Sequence, residues 1–552
     1  MSSKKSLCLR SARRDAAAAL AAVIAVAVAA PEARADLENY GVPADSLQAS
    51  AVSRFLSPDG LYFLQNNGGN AGFNYWWMAH GIDAFVDGYQ RTRDAAYLTR
   101  AKNLLHGIQR ENGGSYINAF YDDMEWLGLA CLRAYAITGD AEYASVAQTL
   151  WAQIKTGVTS GLFSWSTTCQ PNCKNTIGNT PAIILGARLF GLGLVADADR
   201  ALIETAYANV KATLVDPATG AVWDGKDLAT GTVNRATYSY NQGMYIGAAL
   251  ELYKLSGNAA YTADAKQTAD WATTAFTANG LVFAGKEGGG DGGLFKGILI
   301  RYLALFAREA NLAAADRSRY ITVIKNNANL LHSTGIQRPE MLVGPDWSTP
   351  PGPVTDFSSQ LSGIFLEEAA AVVETPMVYR DFNYQGSWSS LPAGSYTLAQ
   401  LAARGVRNDD ITSITVPPGF TVTMYEDDNF AGASLVRTSN DSYLSGGAWN
   451  DRVSSLVVQA PATAAVVTLY QDCNSGGYAV DLAPGSYDMF ALQRAGVVND
   501  DLSSFRLTAG HTLALYQEYN FTGALVTQTS SNSCLVGLGF NDNVSSLKIT
   551  AP

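Results

Sequence analysis

The chain is poor in cationic charge, in histidine and in cysteine, and it has no second long apolar run after its first thirty residues. With 38 Lys and Arg against 49 Asp and Glu, a net charge of −11, it offers no basic footprint for nucleic acid, whereas a neutral ligand such as a polysaccharide suits that surface. No segment beyond residue 30 reaches the ~20 apolar residues of a membrane-spanning helix. Charged residues make up only 16% against 47% hydrophobic ones, which excludes a disordered chain. At 552 residues the chain exceeds what one hydrophobic core usually serves, so two or more domains are expected.

The N-terminus reads as an export signal over residues 1–35. Lys4, Lys5, Arg10, Arg13 and Arg14 precede an apolar run from about Ala16 to Ala30, and Ala33-Arg34-Ala35 supplies an A-x-A cleavage site before Asp36. The expected location is therefore secreted and extracellular, or the periplasm. Six cysteines fit an oxidising compartment. Cys8 leaves with the signal, and Cys131 lies in an apolar helical stretch where a thiol packs. Cys169 with Cys173 and Cys473 with Cys534 then make two local disulfides. Zinc at the first pair is disfavoured, because no histidine or further cysteine stands near it.

From about Leu37 to Val373 apolar residues recur at three and four spacing, the period of helices, with Gly, Asn and Pro at the breaks. A phrase repeats at helix junctions: Thr92-Arg93-Asp94-Ala95-Ala96-Tyr97, Thr138-Gly139-Asp140-Ala141-Glu142-Tyr143 and Ser256-Gly257-Asn258-Ala259-Ala260-Tyr261, followed by Ala101, Ala147 and Ala265. Each copy would end one helix, cap the next with a short polar side chain and send an aromatic between them. Roughly six such hairpins suggest a closed α/α toroid over residues 36–373, with an open solenoid as the alternative. After Glu374 short strands and Gly-rich turns take over. Phrases beginning at Tyr379, Tyr425, Tyr470 and Tyr516 repeat with a period of 45 or 46 residues, so four units pair into two small β domains, 377–460 and 465–552, with a linker near Ala460 to Ala464.

Tyr121-Asp122-Asp123-Met124-Glu125-Trp126 is the segment that could do chemistry. Glycoside hydrolysis needs two carboxyl groups, one ionised and one protonated, flanking the scissile bond. The competing reading is structural: Asp122 with Glu125 fits a capping box, and acids in a first helical turn are favoured by the helix dipole. Consecutive residues on a regular helix also point about 100° apart, so both acids reach one cleft most easily if the first leaves the helical path. Phe73-Asn74-Tyr75-Trp76-Trp77, Trp165 and Tyr238-Ser239-Tyr240-Asn241-Gln242-Gly243 add aromatic faces and amides of the kind that hold sugar rings and hydroxyls.

The ordered set resembles glycoside hydrolase family 76, the α-1,6-mannanases. It comprises Tyr75-Trp76-Trp77 with Ala79-His80, Tyr121-Asp122-Asp123 with Trp126, Asn179-Thr180-Pro181-Ala182 leading to Arg188-Leu189, Asp224-Gly225, Tyr240-Asn241-Gln242-Gly243 with Gly247, and Phe295-Lys296-Gly297-Ile298 with Arg301-Tyr302. The resemblance implies an (α/α)6 barrel and a retaining mechanism, with Asp122 as nucleophile and Asp123 as general acid/base. It places Tyr75, Trp76, Trp77, Tyr121, Trp126, Trp165, Asp224, Tyr240, Asn241, Gln242, Asp291 and Lys296 along the sugar-binding cleft, and it requires no cofactor for catalysis. Leu127 stands where a second tryptophan is common, and a run of glycines surrounds Asp291. That run follows no clear strand and lacks a Gly-Lys-Ser/Thr ending, so it is no phosphate loop.

In the C-terminal part Asn408-Asp409-Asp410-Ile411-Thr412-Ser413 recurs from Asn450, Asn499 and Asn541. Calcium takes six to eight hard oxygens, which such segments supply; Asn-Asp and Ser-Ser also simply make turns. Four copies in register, with the tyrosine and glycine phrase, resemble the βγ-crystallin calcium motif, two Greek-key units per domain. The resemblance implies Asp410 with Ser454, Asp501 with Ser545, and Asn543 with Ser503 as calcium ligands. Arg452 takes the matching position of the fourth site, where a cation does not ligate a cation. The whole is expected to be a monomeric, secreted endo-acting hydrolase of the α-1,6-mannan backbone, without nucleic-acid or membrane partners. A transglycosidase using the same site and a non-catalytic, calcium-stabilised glycan-binding protein are the rivals.

Overall fold

The computed structural model describes residues 31–550 apart from 279–281, 284–286, 462–464, 490–491 and 493–494. Most of the export-signal segment, with Cys8, and the centre of the expected inter-domain linker lie outside the described residues. Among the described residues no helix is long and apolar enough to cross a membrane.

Among the described residues, twelve helices build the first part: α1 (Pro31–Phe55), α2 (Tyr75–Thr92), α3 (Ala96–Glu111), α4 (Tyr121–Thr138), α5 (Ala141–Ile154), α6 (Thr180–Gly191), α7 (Asp197–Leu214), α8 (Ser239–Ser256), α9 (Ala259–Ala275), α10 (Gly292–Glu309), α11 (Ala314–Leu330) and α12 (Phe357–Val372). The even-numbered helices form an inner ring. α2 packs on α4, α4 on α6, α6 on α8, α8 on α10, α10 on α12, and α12 returns to α2, so the ring is a closed toroid and the open solenoid is ruled out. The odd-numbered helices pack outside it.

Burial follows from that division. α8 and α12 are buried almost all round, as inner helices must be, whereas outer α3 buries one stripe of Tyr97, Ala101, Leu104, Leu105 and Ile108. The junction phrase does what its chemistry suggests. Arg93, Gly139 and Gly257 end α2, α4 and α8 in the left-handed conformation, and the Asp140 and Asn258 side chains accept the amides of Glu142 and Ala260 to start α5 and α9. Because each outer helix runs back, the six inner helices are parallel, with their N-termini gathered at one mouth and their C-termini at the rear.

The second part holds two domains with separate cores. In the first, strands 385–390, 377–381 and 413–415 make one antiparallel sheet, and 394–396, 455–459, 421–427 and 431–437 make the other. Strand 394–396 thus leaves its own unit to pair with strand 455–459 of the next, the crossing that makes a Greek key. The second domain repeats this order. In the repeated tyrosine phrases the register shifts after Tyr379, Tyr425, Tyr470 and Tyr516. Left-handed Asn383, Asn429 and Asn474 turn the chain there, and a glycine at positive φ follows in each unit. These are βγ-crystallin-like domains. Disulfides join Cys169 to Cys173 and Cys473 to Cys534, while Cys131 is a buried free thiol.

The first β domain sits against the rear of the barrel. The amides of Asn383 and Asn440 donate to the carbonyls of Lys254 (2.6 Å) and Arg308 (2.8 Å), capping last-turn carbonyls of α8 and α10. Arg308 Nε donates to the Tyr379 hydroxyl at 3.1 Å, and Arg93 donates to the Trp388 carbonyl at 2.8 Å. Between the two parts lies a cavity of about 160 Å³. Arg91, Arg133, Arg188, Lys254, Arg301 and Arg308 line it, cations drawn to the negative ends of the inner helices, and Asp83, Asp87, Glu251, Glu309 and Glu368 neutralise most of their charge.

Candidate active site

The opposite end, the mouth, collects the residues that sequence marks out. α4 begins at Tyr121, whose amide donates to the Trp165 carbonyl at 2.9 Å, and its N-cap is Phe120, which makes no side-chain cap. Asp122 and Asp123 therefore both lie in the first helical turn, and neither leaves the helical path. The capping box is not formed either. Asp122 Oδ2 instead accepts the Trp165 indole N–H at 3.0 Å, while Asp123 Oδ2 accepts the Asn118 amide at 2.7 Å, so different loops hold the two carboxyls.

Both acids are half-buried. Burial pushes the Asp122 carboxyl up to about 7 against the hydrogen bond from Trp165, with the charge of Asp291 adding to the rise. Burial first, then the charges of Asp122 and Asp291, pushes Asp123 well above the usual carboxylate range. Both carboxyls are thus raised, but by different surroundings, and glycoside cleavage by two carboxyls needs such a split between its members.

A third carboxylate faces the pair. Asp291 Oδ1 accepts the indole N–H groups of both Trp76 (3.1 Å) and Trp77 (3.0 Å). The glycine run explains how it gets there. A Cβ on Gly292 would lie 1.9 Å from the Glu287 carbonyl and one on Gly293 2.4 Å from the Ser359 hydroxyl, so only glycine lets the loop close onto α12. Asp356 pins the same loop by accepting the Gly290 amide at 2.8 Å.

Aromatic rings continue along the mouth. Tyr240 stacks on Phe295 with ring centroids 3.8 Å apart, and Phe120 lies 5.1 Å from Trp165. Asp224 accepts the Asn234 amide at 2.8 Å and faces Asn241 at 3.5 Å. Other expected cleft residues build the wall behind. The Tyr75 hydroxyl donates to the Tyr116 carbonyl at 2.6 Å, Tyr121 reaches Thr156 and Gln170, and Trp126 is buried beneath Trp76 and His80. The Val222 backbone takes both ends of the Gln242 amide. Lys296 is 3% exposed, donates to the Pro345 carbonyl at 2.5 Å and lies 4.2 Å from the Trp347 ring centre. Sequence reading missed Asn118 and the anchors of the glycine loop, Glu287 and Asp356, since single polar residues in loops follow no period.

In the β domains, hydroxyls of one unit reach the loop of the other: Ser454 to Asp409 (3.4 Å), Ser503 to Asp542 (2.9 Å), Ser545 to Asp500 (3.0 Å) and Thr412 to Asp451 (3.4 Å). All four of those aspartates have positive φ. Arg452 is paired with Glu426. Among the described residues no three His, Cys, Asp or Glu side chains cluster as metal ligands.

A closed ring of helix pairs with paired carboxyls and indoles at its mouth defines a glycoside hydrolase of the (α/α)6 class. The family model for glycosyl hydrolase family 76 matches residues 48–378, and the chain belongs to that family. The α-1,6-mannanase GH76A from Salegentibacter sp. HEL1_6 is 41% identical, with a TM-score of 0.58, over 61% of this chain and all of that one. A variant of that mannanase with two consecutive aspartates changed to asparagine is described as inactive and as bound to α-1,6-mannotriose; it is 40% identical, with a TM-score of 0.58, over 61% of this chain and all of that one. In the C-terminal part, the model for peptidase inhibitor family I36 matches residues 418–481. Development-specific protein S from Myxococcus xanthus is 35% identical over 174 residues, 31% of this chain and 97% of that protein.

Proposed function

We propose that the protein is a secreted endo-α-1,6-mannanase that cleaves with retention, Asp122 acting as nucleophile and Asp123 as general acid/base. The observation that carries this reading is the split environment of the two adjacent acids. Asp122 Oδ2 is fixed by Trp165, whereas burial and two neighbouring charges push the Asp123 carboxyl well above its usual range. The inactive mannanase with two consecutive aspartates replaced supports assigning the chemistry to this pair.

In the first step Asp123 protonates the departing glycosidic oxygen while the Asp122 carboxylate bonds to the anomeric carbon. In the second, Asp123 takes a proton from water, and that water displaces Asp122 to release the sugar with its original configuration. Asp291 and Asp224 offer acceptors to sugar hydroxyls, fully buried Asn241 stands behind Asp224 rather than in the cleft, and Trp76, Trp165 and Tyr240 offer ring faces.

Incubating wild type, Asp122→Asn and Asp123→Asn with linear α-1,6-mannan and resolving the products tests the assignment. Shortened oligosaccharides from wild type alone, initially with the α anomer, are expected. Products longer than the substrate would instead mark a transglycosidase, and no new reducing ends would mark a glycan-binding protein.

The β domains fit calcium. Paired loops with left-handed aspartates, each faced by a hydroxyl from the other unit, offer hard oxygens mostly from backbone and neutral side chains. Asp410 with Ser454, Asp501 with Ser545, and Asn543 with Ser503 would hold it, whereas the site with Arg452 would not. Bound there, calcium would stabilise the fold and play no part in the cleavage.

A further inference from the structure

Glu125 takes no part in the chemistry above, yet it is buried on the helix that carries the acid pair. It is 0% exposed, and neither of its oxygens has a hydrogen-bond partner among the described residues. The Ala182 amide faces it from α6 without closing a hydrogen bond. It follows Asp122 by three residues on α4, so the two side chains lie one above the other on one helix face. Asp122 Oδ1, the oxygen that Trp165 leaves untouched, is also buried and without a partner.

Three buried acceptor atoms on one face of α4, Glu125 Oε1 and Oε2 and Asp122 Oδ1, thus lack a hydrogen-bond partner among the described residues, and the Ala182 amide faces Glu125. Buried polar groups in native proteins are rarely left so, and a single water finds its usual two to four partners in such a set. We propose that Glu125 is a positioning residue: in its protonated form it holds a buried water under Asp122 and donates through it to Asp122 Oδ1. With Trp165 on Oδ2, each oxygen of the nucleophile is then aligned by a donor, and the carboxylate is steadied without a cation that would blunt its attack.

Burial, reinforced by the charge of Asp122, pushes the Glu125 carboxyl well above its usual range, as a donor requires. The titratable groups whose charges act on Asp122 and Glu125 are Asp123 on α4, Asp291 before α10 and Tyr240 on α8. The first turns of α6 and α12 contribute none, and Asp356, just before α12, is engaged with Gly290.

The inference rests on Asp122 as nucleophile, and its tests separate from that reading. The acid limb of the pH profile of kcat/KM reports ionisation of Asp122 in the free enzyme. Glu125→Gln keeps a neutral donor and should leave that limb in place. Glu125→Leu removes the donor and should move it up by on the order of one pH unit, with kcat lost and KM little changed. A limb that moves down in Glu125→Gln would show that Glu125 had been charged, and one that stays put in Glu125→Leu would reduce it to packing; either overturns the proposal. A crystal structure of the wild-type enzyme gives a decision independent of activity and of variant folding. It should show a water within hydrogen-bond reach of both Glu125 and Asp122 Oδ1, and a dry gap there refutes the idea even if Asp122→Asn is inactive.

Discussion

The indole of Trp165 donates to Asp122 Oδ2 at 3.0 Å, and through its backbone carbonyl the same residue takes the first amide of the helix that carries Asp122. One tryptophan therefore sets both where Asp122 stands and how readily it ionises. Trp165→Phe keeps most of the ring and deletes the donor. A hydrogen bond to a charged group is worth about 1.5–3 kcal/mol, so kcat/KM should fall about 10- to 100-fold. The acid limb of the pH profile should rise, since the lost bond favoured the carboxylate. An unmoved limb would detach Trp165 from the chemistry.

The raised carboxyls also predict a stability cost. A group whose folded pKa exceeds its unfolded value favours folding at pH below the unfolded value and loses that contribution as pH rises towards the folded one. For Asp122 that window runs from about 3.8 to about 7, so at neutral pH the pair works against the fold. Asp122→Asn should therefore unfold at a higher temperature than wild type at pH 7, by on the order of 1–4 kcal/mol, with the gain shrinking towards pH 4. Melting curves at the two pH values check the sign.

Calcium should raise the melting temperature of the β domains, because a ligand held only by the folded state stabilises it, by about 2.7 kcal/mol at a hundredfold excess over Kd. Titration calorimetry on the whole protein should count no more than three sites. Arg452→Asp should free Glu426 from its ion pair and add a fourth. A count unchanged by that substitution would mean that the arginine is not what disables the site.

At the rear of the barrel, Tyr379→Phe removes the hydroxyl that accepts from buried Arg308. Leaving that donor unsatisfied should cost about 1–3 kcal/mol. Far-ultraviolet circular dichroism in urea should show the helical signal unfolding earlier, although the substituted residue lies in a strand. Loss confined to the β signal would show that the two parts are energetically independent.

Much of this architecture is legible in residue order because local chemistry dictates it. The Thr-Gly-Asp and Ser-Gly-Asn phrases need left-handed and capping residues wherever one helix ends and the next begins. The tyrosine phrase needs its Asn and Gly because the hairpin turns through positive φ. Closure of the ring was expected from six hairpins and from the family resemblance, but spacing alone left an open solenoid as the alternative, since closure depends on α12 meeting α2 across nearly three hundred residues. The acid pair was visible but ambiguous: a first helical turn favours acids whether they cap or catalyse, and only the partners, Trp165 and Asn118, separate the two. The contact between barrel and β domain left no trace at all, because it rests on scattered single residues: two asparagines on helix-end carbonyls, one tyrosine hydroxyl and the Arg93 bond to the Trp388 carbonyl.

That contact fixes the direction in which the enzyme faces. The β domain grips the C-terminal ends of the inner helices, and the acids sit at their N-terminal ends, roughly 27 Å away for an eighteen-residue helix. The first β domain therefore leaves the mouth free of its own bulk, and any material this domain holds lies behind the end that carries the acids, as a blade is set at the tip of its handle.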